Sequence, residues 1–151
     1  MPDVLPFDGL PGLVGRELGV SDWFVVDQAR VHGFAQATED RQWIHVDPER
    51  CARESPFGSP VAHGFLTLSL LPAMLESAIR IEGMRMGLNY GLNKVRFPAP
   101  LPVNSRVRGR WLLAACEPIA GGVQLTWMVT VESEGGGKPV CAAEFLVRAF
   151  P

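Results

Sequence analysis

The segment Gly64–Ile79, with the sequence GFLTLSLLPAMLESAI, is the most apolar stretch in a chain of 151 residues. Its apolar side chains fall on nearly every side of a helix, which is typical of a helix that is buried all round. The segment contains Pro72 and Glu76, and it is shorter than the roughly 20 apolar residues that a membrane span needs. The sequence therefore predicts a buried helix that begins at His63 and runs to about Gly83, and it predicts no membrane association.

Segments rich in β-branched and aromatic residues follow this helix. YGLNKVRFPAPLPV stops at its prolines, and SRVRGRWLLAACEP, GVQLTWMVTVES and KPVCAAEFLVRAF come after it, with turn signals at PIAGG and EGGGKP. In the third segment apolar residues alternate with mainly polar ones, a period of two that places one face of a strand in the core. The alternating apolar residues are Val123, Leu125, Trp127, Val129 and Val131. Helices followed by antiparallel strands predict an α+β fold in which the sheet wraps around the apolar helix.

The residues before the apolar helix carry signals for shorter elements. Residues 1–15 are rich in Pro and Gly and predict an extended lead-in, followed by a strand near residues 17–24. Asp27 is a candidate N-cap for a helix of about three turns ending near Thr38. Asp47 is a second N-cap, with Pro48 at the first helical position. Because no repeat or long linker divides the chain, residues 1–151 are expected to form a single domain.

Composition excludes several classes of protein. The chain is 47% hydrophobic and 20% charged with a formal net charge of -2, so it can bury a core and carries no basic stripe for nucleic acid. It contains no glycine-rich nucleotide loop, and no cofactor is expected. The three cysteines, Cys51, Cys116 and Cys141, form no close pair, and the N-terminus resembles no signal peptide. We therefore expect a reduced protein in the cytoplasm.

The predicted sheet leaves surface that a single chain cannot cover. A curved sheet wrapped around one helix still has open edges and exposes one end of the helix. Pairing of two copies would cover both, so a homodimer is expected on physical grounds.

Two polar residues in TEDRQWIH, Asp40 and His45, are candidates for acid–base chemistry. Five positions apart on one continuous helix they would lie on different faces, so they meet only if a turn separates them. Trp43 and Ile44 would then pack inward and anchor that turn. A carboxylate beside an imidazole can hold a water for proton transfer, and we expect such a pair to lie in a pocket. The alternative is structural, with Asp40 as a helix cap and His45 on the surface.

The residues SPVAHGF open the apolar helix with His63 and Gly64. The first N–H groups of a helix have no partner within it, and Gly64 has no side chain to block a ligand from its amide. This geometry suits a developing oxyanion on an ester or thioester carbonyl. The alternative is that Gly64 eases the turn and His63 caps the helix. His45 and His63 are 18 residues apart without a cluster of further ligands, so no metal site is predicted.

Together these motifs resemble the MaoC-like dehydratase family, which includes R-specific enoyl-CoA hydratases. The resemblance lies in FAQATEDRQWIHVDPERCARESPFGSPVAHGFLTLSL, Phe34 to Leu70, and in NYGLNKVRFPAPLPVNSRVRGR, Asn89 to Arg110. It is strongest to the single-domain branch similar to nodulation protein N. It implies a hotdog fold, a long helix wrapped by a curved antiparallel sheet, and a place in fatty acid metabolism.

The resemblance also implies a reaction and its residues. The reaction is hydration of a trans-2-enoyl-CoA to the (R)-3-hydroxyacyl-CoA, with Asp40 and His45 as the catalytic pair and the Gly64 amide on the thioester carbonyl. Many members have Asn-Pro where this chain has Gln42-Trp43, and some have a serine where it has Pro72, so the role of that serine is either lost or moved to Ser69. Two alternatives are an acyl-CoA thioesterase and a non-catalytic protein that binds acyl thioesters.

Overall fold

The main element of the computed structural model, which describes residues 1–151, is a six-stranded sheet with the order β2-β6-β7-β8-β5 and with β3 also paired to β6. All of its strand pairs are antiparallel. In chain order the elements are β1 (Asp3–Pro6), a 3₁₀-helix (Phe7–Leu13), β2 (Glu17–Val20), β3 (Phe24–Val26), α1 (Gln28–Thr38), α2 (Trp43–Val46), α3 (Pro48–Glu54), α4 (Gly64–Ser69), α5 (Leu71–Ala78), β4 (Ile79–Glu82), β5 (Met86–Arg96), β6 (Ser105–Ile119), β7 (Gly122–Ser133) and β8 (Cys141–Phe150).

The alternation predicted for β7 is confirmed. Leu125, Trp127, Val129 and Val131 are buried, and Trp127 lies opposite Leu113 of β6 and Phe145 of β8. The Trp127 and Trp111 rings meet edge to face, with centroids 5.9 Å apart, an arrangement that aromatic pairs favour. The apolar helix packs against these side chains.

The apolar segment packs on this sheet and confirms the predicted α+β hotdog arrangement. Leu71, Met74 and Ala78 are buried on the side that faces the strands. Met74 fits over β6 at Gly109, where an added Cβ would lie 3.4 Å from its sulfur. No helix in the chain has the length and apolar character required to cross a membrane.

The predicted extent of this helix is wrong in two respects. It is interrupted at Leu70, just before Pro72, which has no N–H to donate. It ends at Ala78 rather than near Gly83, because the chain then continues as β4, which pairs in parallel with β1. Nor is it buried all round, since the Phe65 side chain is 65% exposed.

The chain start also differs from the prediction. Residues 1–15 are not an extended lead-in throughout: β1 is extended, but a 3₁₀-helix follows and its Leu10 is fully buried in the core. The strand expected near residues 17–24 is two short strands, β2 and β3.

The two short helices begin at the predicted caps. Asp27 accepts a hydrogen bond from the Arg30 N–H at 2.8 Å, and Asp47 accepts one from the Arg50 N–H at 3.0 Å. Helix α1 ends at Thr38, as expected. These boundaries place Asp40 in the segment after α1 and His45 on α2.

Candidate active site

The turn between α1 and α2 brings together the two residues singled out in TEDRQWIH. Glu39 has a left-handed backbone with φ of 64°, uncommon for a residue other than glycine, and this turn ends α1. Asp40 follows in the connecting segment, and His45 lies on α2. One carboxylate oxygen of Asp40, one ring nitrogen of His45 and one ring nitrogen of His63 all lie within 4.8 Å of one another.

His45 is buried, and its ring is held in one orientation. The distance from its Nδ1 to the Val61 carbonyl oxygen is 2.6 Å. A carbonyl only accepts hydrogen bonds, so Nδ1 carries the hydrogen and the neutral ring has its lone pair on Nε2. Helix α2 is itself fixed, because Gln28 donates to the His45 carbonyl at 2.8 Å and the Val61 N–H donates to the Ile44 carbonyl at 3.0 Å. The predicted surface position for a structural His45 is wrong.

The surroundings of His45 favour its neutral form. Burial is the main cause that lowers the pKa of His45 below its usual value, and the neighbouring His63 lowers it further. The Val61 carbonyl and the Asp40 carboxylate act in the opposite direction without reversing the shift. At neutral pH the ring can therefore accept a proton on Nε2.

His63 belongs to this cluster, although the sequence assigned it only to the helix start. Its side chain makes no capping hydrogen bond to α4. Its ring stacks on His45 with centroids 3.8 Å apart and planes at 24°, and its Nε2–H donates to the Asp40 backbone carbonyl at 2.9 Å. The separation of 18 residues in sequence therefore gave no indication of their distance in space.

The stacked rings do not form a good metal site. His45 Nδ1 and His63 Nε2 already donate to carbonyls, which leaves His45 Nε2 and His63 Nδ1 as the possible ligands. The lone pairs of these nitrogens lie in ring planes that are stacked 3.8 Å apart and only 24° from parallel, so they cannot meet at a point close to both rings. A zinc ion needs its ligands to converge at about 2.0–2.1 Å, and this geometry does not provide that.

Gly64 lies next to the cluster at the start of α4. Its N–H donates to no protein acceptor, as expected for the first residue of a helix. An added Cβ would lie 2.8 Å from the ring of Phe97, so the ring occupies the space that any larger residue would need. Glycine is therefore required here for packing.

The expectation that the pair lies in a pocket rather than on open surface is wrong for Asp40 in the single chain. His45 and His63 are 7% and 2% exposed, whereas Asp40 lies on the surface. A cavity of about 550 Å³ lies further along α5. It is lined mainly by apolar side chains, including Pro72, Leu75, Ile79, Leu125, Trp127 and Val147.

Four contact residues of the site were missed in the sequence. They are Val61, which orients His45; His63; Phe34, whose ring centroid is 4.9 Å from that of His63; and Phe97. None of them carries a signal in its local sequence beyond the position of His63 beside Gly64. The Ser69 hydroxyl donates to the Phe65 carbonyl at 2.7 Å, within its own helix.

Comparison with known proteins gives consistent matches. The family described as "MaoC like domain" matches residues 11–134. The 3-hydroxyacyl-thioester dehydratase Z of Mycobacterium tuberculosis is 51% identical over 140 residues, 92% of each chain. Nodulation protein N of Rhizobium leguminosarum is also 51% identical over 140 residues, 91% of this chain and 86% of that protein.

A solved structure matches the fold. The (R)-hydratase from A. caviae involved in PHA biosynthesis superposes with a TM-score of 0.72 at 24% identity. The match covers 91% of this chain and 98% of that one. At this identity it establishes a common architecture.

Proposed function

This chain belongs to the MaoC-like dehydratase family, and from that premise we propose that it hydrates trans-2-enoyl-CoA to (R)-3-hydroxyacyl-CoA, reversibly. The observation that carries the proposal is the meeting of Asp40 with a buried His45 whose Nε2 is free. The 51% identity to a protein named 3-hydroxyacyl-thioester dehydratase supports a thioester substrate.

The acid–base pair would act on one water. Two hydrogen bonds of about 2.8 Å can span the 4.8 Å that bounds the distance between an Asp40 oxygen and a His45 nitrogen. His45 Nε2 accepts a proton from this water as its oxygen adds to C3 of the enoyl group, and Asp40 orients the water. A proton then passes from the pair to C2. The sum of these steps adds one water across the double bond and needs no cofactor.

The Gly64 amide would bind the thioester carbonyl. As the oxygen attacks C3, negative charge develops on the carbonyl oxygen, and an N–H without a protein partner can stabilise it there. The same contact polarises the enoyl group before attack. The Gly64 amide thereby makes C3 of the enoyl group more electrophilic.

The cavity beside α5 would hold the acyl chain. Pro72, which lines the cavity, lies eight residues beyond Gly64, on the helix that follows α4. A chain that starts at the Gly64 amide and follows the helix reaches the apolar lining at Leu75 and Ile79. We therefore expect longer enoyl chains to be better substrates than crotonyl-CoA.

The decisive experiment follows both possible products from one substrate series. Purified protein is given trans-2-enoyl-CoA of increasing chain length, and loss of the double-bond absorbance is recorded beside release of free thiol. The proposal expects loss of absorbance without thiol, and chiral analysis of the product should give the (R) enantiomer. Thiol release would instead indicate a thioesterase on the same fold, and binding without turnover would indicate a non-catalytic acyl-thioester protein.

The protein is proposed to act as a homodimer in the cytoplasm, where its three free cysteines would remain reduced. Strand β5 is an edge of the sheet, paired only with β8. Its Leu88 and Tyr90 side chains are 46% and 52% exposed. An edge with apolar side chains is a surface for pairing with another chain.

Light scattering should give twice the chain mass of 16.5 kDa. Leu88→Arg should shift the protein to monomer, because it places a charge on the proposed pairing strand. Val25→Arg is the matched control: Val25 is 49% exposed on β3, away from β5, and this variant should remain dimeric. A parent protein that stays monomeric at micromolar concentration contradicts the proposal.

A further inference from the structure

His63 makes contacts that the proposed mechanism does not yet use. Its ring lies between those of Phe34 and His45, with centroids 4.9 and 3.8 Å away. Its Nε2–H donates to the Asp40 carbonyl. One side chain therefore touches both members of the acid–base pair.

The segment that carries Asp40 has few other attachments. The Asp40 N–H reaches Thr38 Oγ1 at 3.5 Å and the Gln42 N–H reaches Asp40 Oδ1 at 3.4 Å, both long for hydrogen bonds. The Arg41 N–H bonds only within the segment, to Glu39. The bond from His63, at 2.9 Å, is the one that ties Asp40 to a distant part of the chain.

Packing alone does not account for an imidazole at this position. His63 Nδ1 is buried without a hydrogen-bond partner, which is unfavourable compared with an apolar ring of similar shape. A phenylalanine could fill the space between Phe34 and His45. It could not donate to the Asp40 carbonyl.

We propose that His63 is a positioning residue, which holds the Asp40 main chain while stacking on His45 and so fixes the distance between the carboxylate and the imidazole. The inference rests on the proposed hydratase function, because Asp40 and His45 are the groups it positions. Misplacement of a reacting group by about 1 Å can cost on the order of 100-fold in rate.

Two substitutions separate the hydrogen bond from the stacking. His63→Phe keeps a ring between Phe34 and His45 but removes the donor, and kcat should fall about 10- to 100-fold with KM little changed. His63→Gln places an amide N–H near the position of Nε2 and should restore most of that loss. Equal losses in the two variants, or a parental rate in His63→Phe, would overturn the inference.

A double-mutant cycle tests whether His63 acts through Asp40. In an Asp40→Asn background the carboxylate is already absent, so adding His63→Phe should lower the rate little further. A general structural defect would instead add its full loss in that background. Additive losses would therefore contradict a positioning role.

A measurement without substrate keeps this test separate from the proposed function. Backbone ¹⁵N relaxation should show residues 40–42 ordered in the parent and in His63→Gln, and mobile in His63→Phe. If the parent fails to hydrate enoyl-CoA but residues 40–42 become mobile in His63→Phe, the proposed function is wrong, and the conclusion that His63 fixes the Asp40 main chain is supported. If the parent hydrates and neither kcat nor order changes, the inference falls alone. Should His63→Phe not fold, His63→Asn replaces it, because its shorter amide cannot reach Asp40.

Discussion

Asp40→Asn should lower the rate of enoyl-CoA hydration by roughly 100-fold or more, the loss expected when an acid–base group is removed. The amide keeps the size of the side chain, and the main-chain contact from His63 to the Asp40 carbonyl is unaffected by the change. Because Asp40 is exposed, the thermal midpoint should move little. Stopped-flow or spectrophotometric rates with a saturating enoyl-CoA provide the measurement.

The charge of Asp40 also shifts the pKa of His45, and the direction of this shift can be measured. Asp40 raises the pKa of His45 against the larger lowering by burial. Removing the carboxylate should therefore lower the pKa of His45 further, so the ring stays neutral at pH 7 in both proteins. NMR titration of the imidazole measures this shift, and it excludes protonation of His45 as the cause of the lost activity.

Glu39→Gln is the matched control for Asp40→Asn. It removes an acidic charge from the neighbouring residue, whose contact with Arg41 is a 4.0 Å surface pair of little energetic consequence. Its hydration rate should stay near that of the parent. Parental activity in a folded Asp40→Asn protein would mean that the acid–base interpretation of TEDRQWIH is wrong.

The same argument applied to His45 calls for asparagine rather than alanine. His45 is buried and its Nδ1–H donates a hydrogen bond to the Val61 carbonyl. Alanine would therefore leave that carbonyl without a donor and would also create a cavity. An asparagine amide lies where Nδ1 did and can keep that bond, while Nε2 is lost. The double variant with Asp40→Asn should lose little beyond the worse single variant, since groups that act as a unit are not additive.

The parts of the fold that depend on neighbouring residues could be predicted from the sequence. Helix α1 begins at a cap, Asp27, whose partner is three residues away, and the burial of β7 follows from its own alternation. The end of α5 was misplaced because Ile79 and Ile81 belong equally well to an apolar helix and to a strand. The pairing of β4 with β1, nearly 80 residues earlier in the chain, decides between them.

In the site, too, the features set by neighbouring residues could be predicted, and those set by long-range contacts could not. Asp40, His45 and Gly64 are candidates because short motifs carry them, and the structure brings Asp40 and His45 together across a turn that the spacing required. His63 was assigned to the helix start, since nothing local places it on His45. That contact depends on the path from α3 back to α4, where Val61 pairs with Pro102 in an isolated bridge. Such long-range pairing is a property of the whole fold.

Gly64→Ala should reduce hydration on the order of 100- to 1000-fold, the range seen when one oxyanion donor is lost. The added Cβ would lie 2.8 Å from the Phe97 ring, so either that ring or the start of α4 must move. Movement of α4 shifts the amide away from the thioester oxygen, and movement of Phe97, which is 39% exposed, crowds the same approach. Displacement of the amide acts on the transition state and lowers kcat, whereas crowding by Phe97 hinders substrate binding and raises KM.

Two further variants identify the cause of this loss. Phe97→Ala combined with Gly64→Ala removes the ring and should recover much of the rate, because the Gly64 position keeps an N–H in either case. Gly33→Ala on α1 is the matched control: its Cβ would meet nothing within 4 Å, and alanine is the better helix former. That variant should retain parental activity and a thermal midpoint at least as high. If Gly64→Ala hydrates enoyl-CoA as fast as Gly33→Ala does, the added Cβ neither displaces the amide nor crowds the substrate, and the requirement for glycine at this position is wrong.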